Sequence, residues 1–271
     1  MSSRTKVAVV QMTSRDDVDE NLETAERLVR EAAADGAKLA VLPECFAFLG
    51  PERGKLEIAE PLPEGGPILA RCSALARSTG AELVLGGFWE KGESASHVRN
   101  ACVHLGPGGE VRAVYRKVHL FDVDLPDGTL LRESETVEPG GETVVTDACF
   151  GTLGLSVCYD LRFPELYRRL VDAGAIALAI PSAFTLTTGK DHWHVLLRAR
   201  AIESQAWVLA AAQYGHHLGN RRSYGHALIA DPWGTVVAEC SDGEGFASAW
   251  LDVGQVARVR RALPSLTHRR L

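Results

Sequence analysis

The sequence predicts a layered α/β domain with a mixed sheet. Three features support this. Short apolar strands alternate with helical periodicity in the first half of the chain. Hairpin signals, Gly106-Pro107-Gly108-Gly109 and Asp231-Pro232-Trp233-Gly234, separate apolar runs elsewhere. The chain has 271 residues, 46% apolar and 24% charged, enough for a sizeable core and expected as a single domain over 1–271.

Residues 6–12 form a short apolar strand. Over 18–35, Leu22, Ala25, Val29 and Ala32 fall on one helical stripe with charges opposite, and Gly36 is placed to end the helix. A second strand over 38–42 is ended by Pro43-Glu44. Residues 53–65, with Pro and Gly, read as a loop; 66–79 read as a helix, 82–88 as a strand and 91–99 as a polar turn. Strands over 100–105 and 111–115 flank the first hairpin signal. Residues 117–141 form a long irregular stretch rich in acids, and such a stretch in a compact domain is usually functional. Residues 151–158 are small, branched and apolar, as in a buried strand, and Pro164-Glu165 open a helix, where Pro is tolerated in the first turn. Then come a strand over 175–180, a loop over 181–190, a helix near 192–204 and a strand over 206–213. Residues 216–223 form a polar loop with His216, His217, Arg221 and Arg222. Strands over 225–230 and 235–239 flank the second turn, followed by a strand at 246–252 and a helix at 256–261.

A net charge of −6 implies no affinity for nucleic acid or an anionic membrane surface. The opening MSSRTKVAVVQM lacks the apolar run of a signal, and no apolar run reaches the roughly 18 residues of a membrane span. The six cysteines, Cys45, Cys72, Cys102, Cys149, Cys158 and Cys240, form no CxxC pair. Free thiols in a reducing cytoplasm are therefore expected, and metal or redox motifs are not.

Open α/β sheets bind ligands beyond the carboxyl ends of their strands. Three reactive residues directly follow apolar strands: Glu44 after Ala-Val-Leu-Pro, Lys117 after Val-Tyr-Arg, and Cys158 after Leu-Ser-Val. Each alone has an ordinary reading as a surface acid, a solvated base or a small buried residue. Together they supply the base, the cation and the nucleophile of thiol acyl transfer. A thiol on a strand-to-helix turn also faces helix N–H groups, which lower its pKa and can cradle an oxyanion.

LPECF around Glu44, YRKVHLFD around Lys117 and GLSVCYDLRFPELY around Cys158 resemble the Glu–Lys–Cys motifs of the nitrilase superfamily of carbon–nitrogen hydrolases. Their order and spacing agree over essentially the whole chain. Nitrilases proper usually carry Trp-Glu after the cysteine, and carbamoyl hydrolases Asn-Asp. Cys158-Tyr159-Asp160-Leu161-Arg162-Phe163 instead resembles the Nit amidase branch, as do PSAFTLTTGKDHWHVLLRARAIESQ, SYGHALIADPWGTVVAEC and LPSLTHRR.

The resemblance implies a four-layer α-β-β-α sandwich with mixed sheets, paired into a homodimer or higher homo-oligomer. It implies an amidase with Cys158 as nucleophile, Glu44 as general base, and Lys117 with the Tyr159 backbone N–H stabilising the oxyanion. A carboxylate and a thiol sharing one proton in a dry cleft should raise each other's pKa. Glu133 matches a second family glutamate that positions the lysine and the substrate amide; Glu135 and Glu138 read as solvated loop acids. Arg162, with Phe184 and Thr188 from the later loop, matches residues that hold the carboxylate of 2-oxo acid amides. An ion pair of Arg162 with Asp160 or Glu165 is the alternative. His192, Trp193, Arg198 and Glu203 are expected to pack the helix or the dimer face, and the 216–223 loop to be solvated. No metal and no organic cofactor is implied. The implied partner is a small amide bearing carboxylates, with no nucleic acid and no membrane. A binding or scaffold role for an idle hydrolase fold is disfavoured by intact Glu44, Lys117, Glu133 and Cys158.

Overall fold

The computed structural model describes residues 4–124 and 130–270. In chain order the first half runs β1 (Arg4–Met12), α1 (Val18–Ala34), β2 (Leu39–Val41), α2 (Glu52–Ile58), α3 (Pro67–Thr79), β3 (Glu82–Lys91), β4 (Val98–Leu105) and β5 (Val111–Arg116). A short ribbon, β6 (Asp122–Asp124) with β7 (Leu130–Arg132), precedes β8 (Val145–Ala148), β9 (Gly151–Leu155), α4 (Pro164–Asp172), β10 (Ala177–Ala179) and α5 (Leu186–Ser204). The chain ends with β11 (Trp207–Ala210), β12 (Ala212–His216), β13 (Arg222–Tyr224), β14 (Leu228–Ala230), β15 (Val236–Glu239), β16 (Gly245–Asp252) and α6 (Val253–Ala262).

Two mixed sheets result. One has the order β13-β12-β1-β2-β3-β4-β5, with β16 also on β1; the other has the order β15-β14-β11-β10-β9-β8. Strand alternation makes the layers. Val7 and Val9 of β1 pack into the core shared with β9–β11, whereas Ala8 and Val10 pack with Leu22 and Leu28 of α1 and Leu75 of α3. The second sheet meets α4 and α5 through Leu170, Trp193 and Leu197. This is the α-β-β-α sandwich expected. It puts the carboxyl ends of β2, β5 and β9 where their following loops can meet.

Several boundaries differ from the sequence reading. Residues 53–65 are not all loop, because α2 packs beside β3 and Lys55 lies 4.9 Å over the Trp89 ring. The 117–141 stretch contains β6, β7 and a 3₁₀ turn at Glu133–Glu135. Strand β8 lies in a stretch given no element. Helix α5 begins at Leu186, capped by Thr185, whose side chain accepts from the Thr188 N–H. The run over 206–213 is two strands: β11 belongs to the second sheet, and after Ala211 the chain crosses to the first as β12. Burial on both faces keeps that run uniformly apolar and hides the crossing.

The two sheets meet closely beside the site at a pair of glycines. Strand β3 slips register between Leu85 and Phe88, across Gly86-Gly87. A Cβ on Gly86 would lie 2.2 Å from Pro181 Cβ and 2.6 Å from the Leu42 carbonyl oxygen. A Cβ on Gly87, at φ +59°, would lie 2.4 Å from the Cys45 nitrogen. Gly86→Ala is expected to cost about 1–3 kcal/mol through overpacking. Gly141→Ala, with nothing within 4 Å, should be near neutral. Equal denaturation midpoints for the two variants would contradict the close-approach reading.

Candidate active site

Cys158 ends the chain segment leaving β9 and starts a 3₁₀ turn, Cys158–Arg162. Its φ is +48°, a left-handed conformation that costs a non-glycine residue about 1–3 kcal/mol. Helix α4 starts only at Pro164, so the Cys158 turn is 3₁₀ and not the first turn of an α-helix. The turn is held from two sides. Cys158 N–H donates to the Pro181 carbonyl at 2.9 Å. Asp160, fully buried, accepts from Val157 N–H at 2.8 Å, Tyr115 Oη–H at 2.7 Å and His119 N–H at 3.2 Å, and lies 2.7 Å from His119 Nδ1. The His119 ring stacks on Phe163 at 3.7 Å. Asp160 thus ties the end of β5 and the segment after it, where Lys117 lies, to the turn that carries Cys158.

Glu44, after β2 and Pro43, is also buried. Its Oε1 accepts from Lys117 Nζ and from Asn100 Nδ2, both at 3.0 Å, and its Oε2 accepts from Ala183 N–H at 3.0 Å. Gln213 Nε2 donates to the Glu44 carbonyl at 3.0 Å. Lys117 is 2% exposed and reaches Glu133 at 2.8 and 3.0 Å. Glu133 also accepts from Phe121 N–H at 2.7 Å and Asn100 Nδ2 at 3.2 Å. The structure therefore brings Glu44, Lys117, Glu133 and Cys158 into one cluster.

The electrostatics follow from burial and two carboxylates around one ammonium. Burial, then the Glu44 charge, push the Cys158 thiol well above its usual range, and Lys117 only partly opposes them. Burial works against a charged Glu44, but the Lys117 charge and hydrogen bonds from Cys158, Lys117 and Asn100 leave its carboxyl below the usual value. Burial likewise opposes the Lys117 charge, and Glu133 and Glu44 outweigh it. The resting arrangement is thiol, carboxylate and ammonium. This corrects two expectations: the thiol pKa is not lowered, and thiol and carboxylate do not both rise, because Lys117 stabilises only the carboxylate's charged form.

Arg162 is half-buried, with its guanidinium 5.2 Å from the Phe184 ring and 5.9 Å from the Tyr159 ring. It makes no ion pair among the described residues, so neither Asp160 nor Glu165 holds it. Its Nη1 lies 3.2 Å from Nδ1 of His192. Thr188 lies in the first turn of α5, its hydroxyl 2.9 Å from that of Thr185, one turn before His192. His192 is exposed beside Arg162 instead of packing the helix. Trp193 is buried, Arg198 donates to the Gly234 carbonyl, and Glu203 pairs with Arg200. Of the 216–223 loop, His216, Arg221 and Arg222 are exposed, but His217 is buried between the Ser14 carbonyl and Ser223. Burial pushes His217 down to about 4, so it is a neutral structural residue.

Sequence alone assigns no role to Asn100, Tyr115 or His119, and offers Asp160 only as an alternative ion-pair partner of Arg162. An amide in the middle of apolar β4 was the available signal for Asn100, since Asn is depleted in strands. Asp160→Asn would turn an acceptor-only group toward several donors. It is expected to cost about 1–3 kcal/mol, read as a lower urea midpoint with an unchanged far-ultraviolet spectrum. A midpoint equal to wild type would mean that Asp160 does not hold the turn.

The carbon-nitrogen hydrolase family profile matches residues 6–261. The chain is 48% identical over 270 residues to the human protein named deaminated glutathione amidase, covering 97% of this chain and 82% of that one. It is 45% identical over 265 residues to the protein of the same name from Synechocystis, covering 97% of each. The crystal structure of Saccharomyces cerevisiae Nit3, a member of branch 10 of the nitrilase superfamily, superposes with a TM-score of 0.87 at 32% identity, over 99% of this chain and 97% of that one. With its motif residues gathered round one buried thiol and the match running along its length, the chain belongs to the carbon-nitrogen hydrolase family and is an enzyme that acts on amides.

Proposed function

We propose that the protein hydrolyses the amide bond of deaminated glutathione to 2-oxoglutarate and Cys-Gly. The observation that carries this reading is the buried cluster in which Cys158 lies close enough to feel the charges of Glu44 and Lys117, and Lys117 lies between Glu44 and Glu133. Cys158 Sγ attacks the amide carbonyl carbon while Glu44 takes the thiol proton. Charge moves to the carbonyl oxygen, where Lys117 and the Tyr159 backbone N–H stabilise it; losing one such donor costs roughly a hundredfold in rate. Collapse expels the Cys-Gly amine, which receives the proton from Glu44 and leaves a 2-oxoglutaryl thioester on Cys158. Water then gives a proton to Glu44 and attacks the thioester; the acid departs and the thiol is restored. Glu133, with two contacts to Lys117, keeps the ammonium on its axis.

Substrate choice rests on Arg162 and on the relatives' names. Arg162 is a half-buried guanidinium without an ion pair among the described residues, between the Phe184 and Tyr159 rings. It would take the 2-oxo acid carboxylate as a bidentate pair, with Phe184 as the apolar wall and Thr188 adding a hydroxyl. The reading takes the protein as a cytoplasmic homodimer or higher homo-oligomer. The free cysteines support the compartment. Exposed Val195 and Ile202 on α5, at 66% and 48%, support the assembly. Among the described residues, no helix is long and apolar enough to cross a membrane.

The test compares deaminated glutathione with 2-oxoglutaramate, which offers the same acyl half with ammonia as leaving group. A higher kcat/KM for deaminated glutathione is expected; the reverse order would make the protein an ω-amidase. Arg162→Lys should lower kcat/KM for both 2-oxo acid amides by about 30-fold, as for loss of a charge-assisted pair, and affect neutral amides far less. Equal losses on both classes would make Arg162 a structural support.

A further inference from the structure

Away from the Cys158 cluster, three metal-binding side chains converge where α5 meets the β14–β15 hairpin. His194 lies on α5, His226 just before β14, and Glu239 at the end of β15. We propose that His194, His226 and Glu239 form a binding site for a divalent transition-metal ion of the zinc class.

The geometry fits such an ion. His194 Nε2 and His226 Nδ1 lie 2.8 and 2.9 Å from the same Glu239 oxygen, Oε1, and the three ligand atoms lie within 4.8 Å of one another. Ligand atoms on a tetrahedral zinc lie about 3.3 Å apart, so changes in separation of about 0.5 to 1.5 Å would seat the ion. Two imidazoles and one carboxylate suit zinc and its neighbours, whereas calcium and magnesium prefer all-oxygen sets.

The surroundings also fit. A ligating histidine usually gives its other ring N–H to a carboxylate or carbonyl. His226 Nε2 faces Asp242 Oδ1 at 3.8 Å, so metal at Nδ1 would leave the ring proton at Nε2 toward Asp242. The rings are fixed by packing. His226 has φ +60°, its carbonyl accepts from Trp193 Nε1 at 2.8 Å, and its ring lies 4.6 Å from that of Tyr224 and 5.6 Å from that of His194. The two histidines are half-buried and Glu239 is exposed, and His226 and Asp242 line a cavity of about 340 Å³, which gives an ion a route in. A bound ion would tie α5 to the hairpin, on the helix whose first turns carry Thr188 and His192.

The test titrates chelator-treated full-length protein with zinc chloride by calorimetry. One ion per chain is expected, with His194→Ala and Glu239→Gln each weakening binding by about tenfold or more. Zinc should raise the melting temperature of wild type but of neither variant, since an ion held by the native state alone stabilises it. Both variants should keep wild-type amidase activity without metal, which shows that they fold. A cobalt(II) spectrum without a thiolate charge-transfer band separates this site from binding by cysteines. No bound ion, binding undiminished in both variants, or a thiolate band as the only signal would overturn the proposal.

Discussion

The structure depends on one buried ion cluster: the Lys117 ammonium clamped between the Glu44 and Glu133 carboxylates. Taking these charges out of water costs several kcal/mol per ion, and their attraction offsets that only if the remaining hydrogen-bonding positions are filled. They are filled from both sheets and the connecting loops. Asn100 of β4 donates to both carboxylates, Ala183 N–H to Glu44, and Phe121 N–H to Glu133. The glycine pair in β3 and the crossing after Ala211 become intelligible as ways to bring these loops together. The cluster also sets the local electrostatics, because burial and its excess of carboxylate together favour the protonated form of the neighbouring sulfur.

The Cys158 turn is the second constraint. A left-handed cysteine is held in place by Asp160, whose partners come from both the Lys117 segment and the Cys158 turn. Strain at Cys158 and the anchoring of Lys117 are therefore linked through one carboxylate. The position of the Cys158 sulfur relative to the ammonium is fixed by packing around a buried acid rather than by the cluster alone.

Much of this was legible in the sequence. Glu44, Lys117 and Cys158 each follow an apolar run, and the motifs around them gave the layers and the residues that the fold gathers into one cluster. Glu133 followed from the family pattern in a loop with no periodicity of its own. What stayed hidden depends on tertiary structure. The two-sheet path of 206–213 is masked by uniform burial. The start of α5 was placed late, although Thr185 with a polar first turn is an N-cap signal that could have been used. The direction of the pKa shifts could not be read, because it depends on Lys117 lying nearer to Glu44 than adjacency along the chain can tell. Asp160 and His119 look like ordinary loop polars until the fold brings β5 against the Cys158 turn.

The central claim is that the resting enzyme holds Cys158 as a thiol beside an ionised Glu44. The most direct measurement is the ultraviolet thiolate absorbance of wild type minus that of Cys158→Ala, followed from acid to mildly alkaline pH. An ordinary cysteine titrates near pH 8.5. The account predicts no thiolate signal from Cys158 at neutral pH and none at the ordinary cysteine midpoint. A Cys158 thiolate band already present at neutral pH would contradict it.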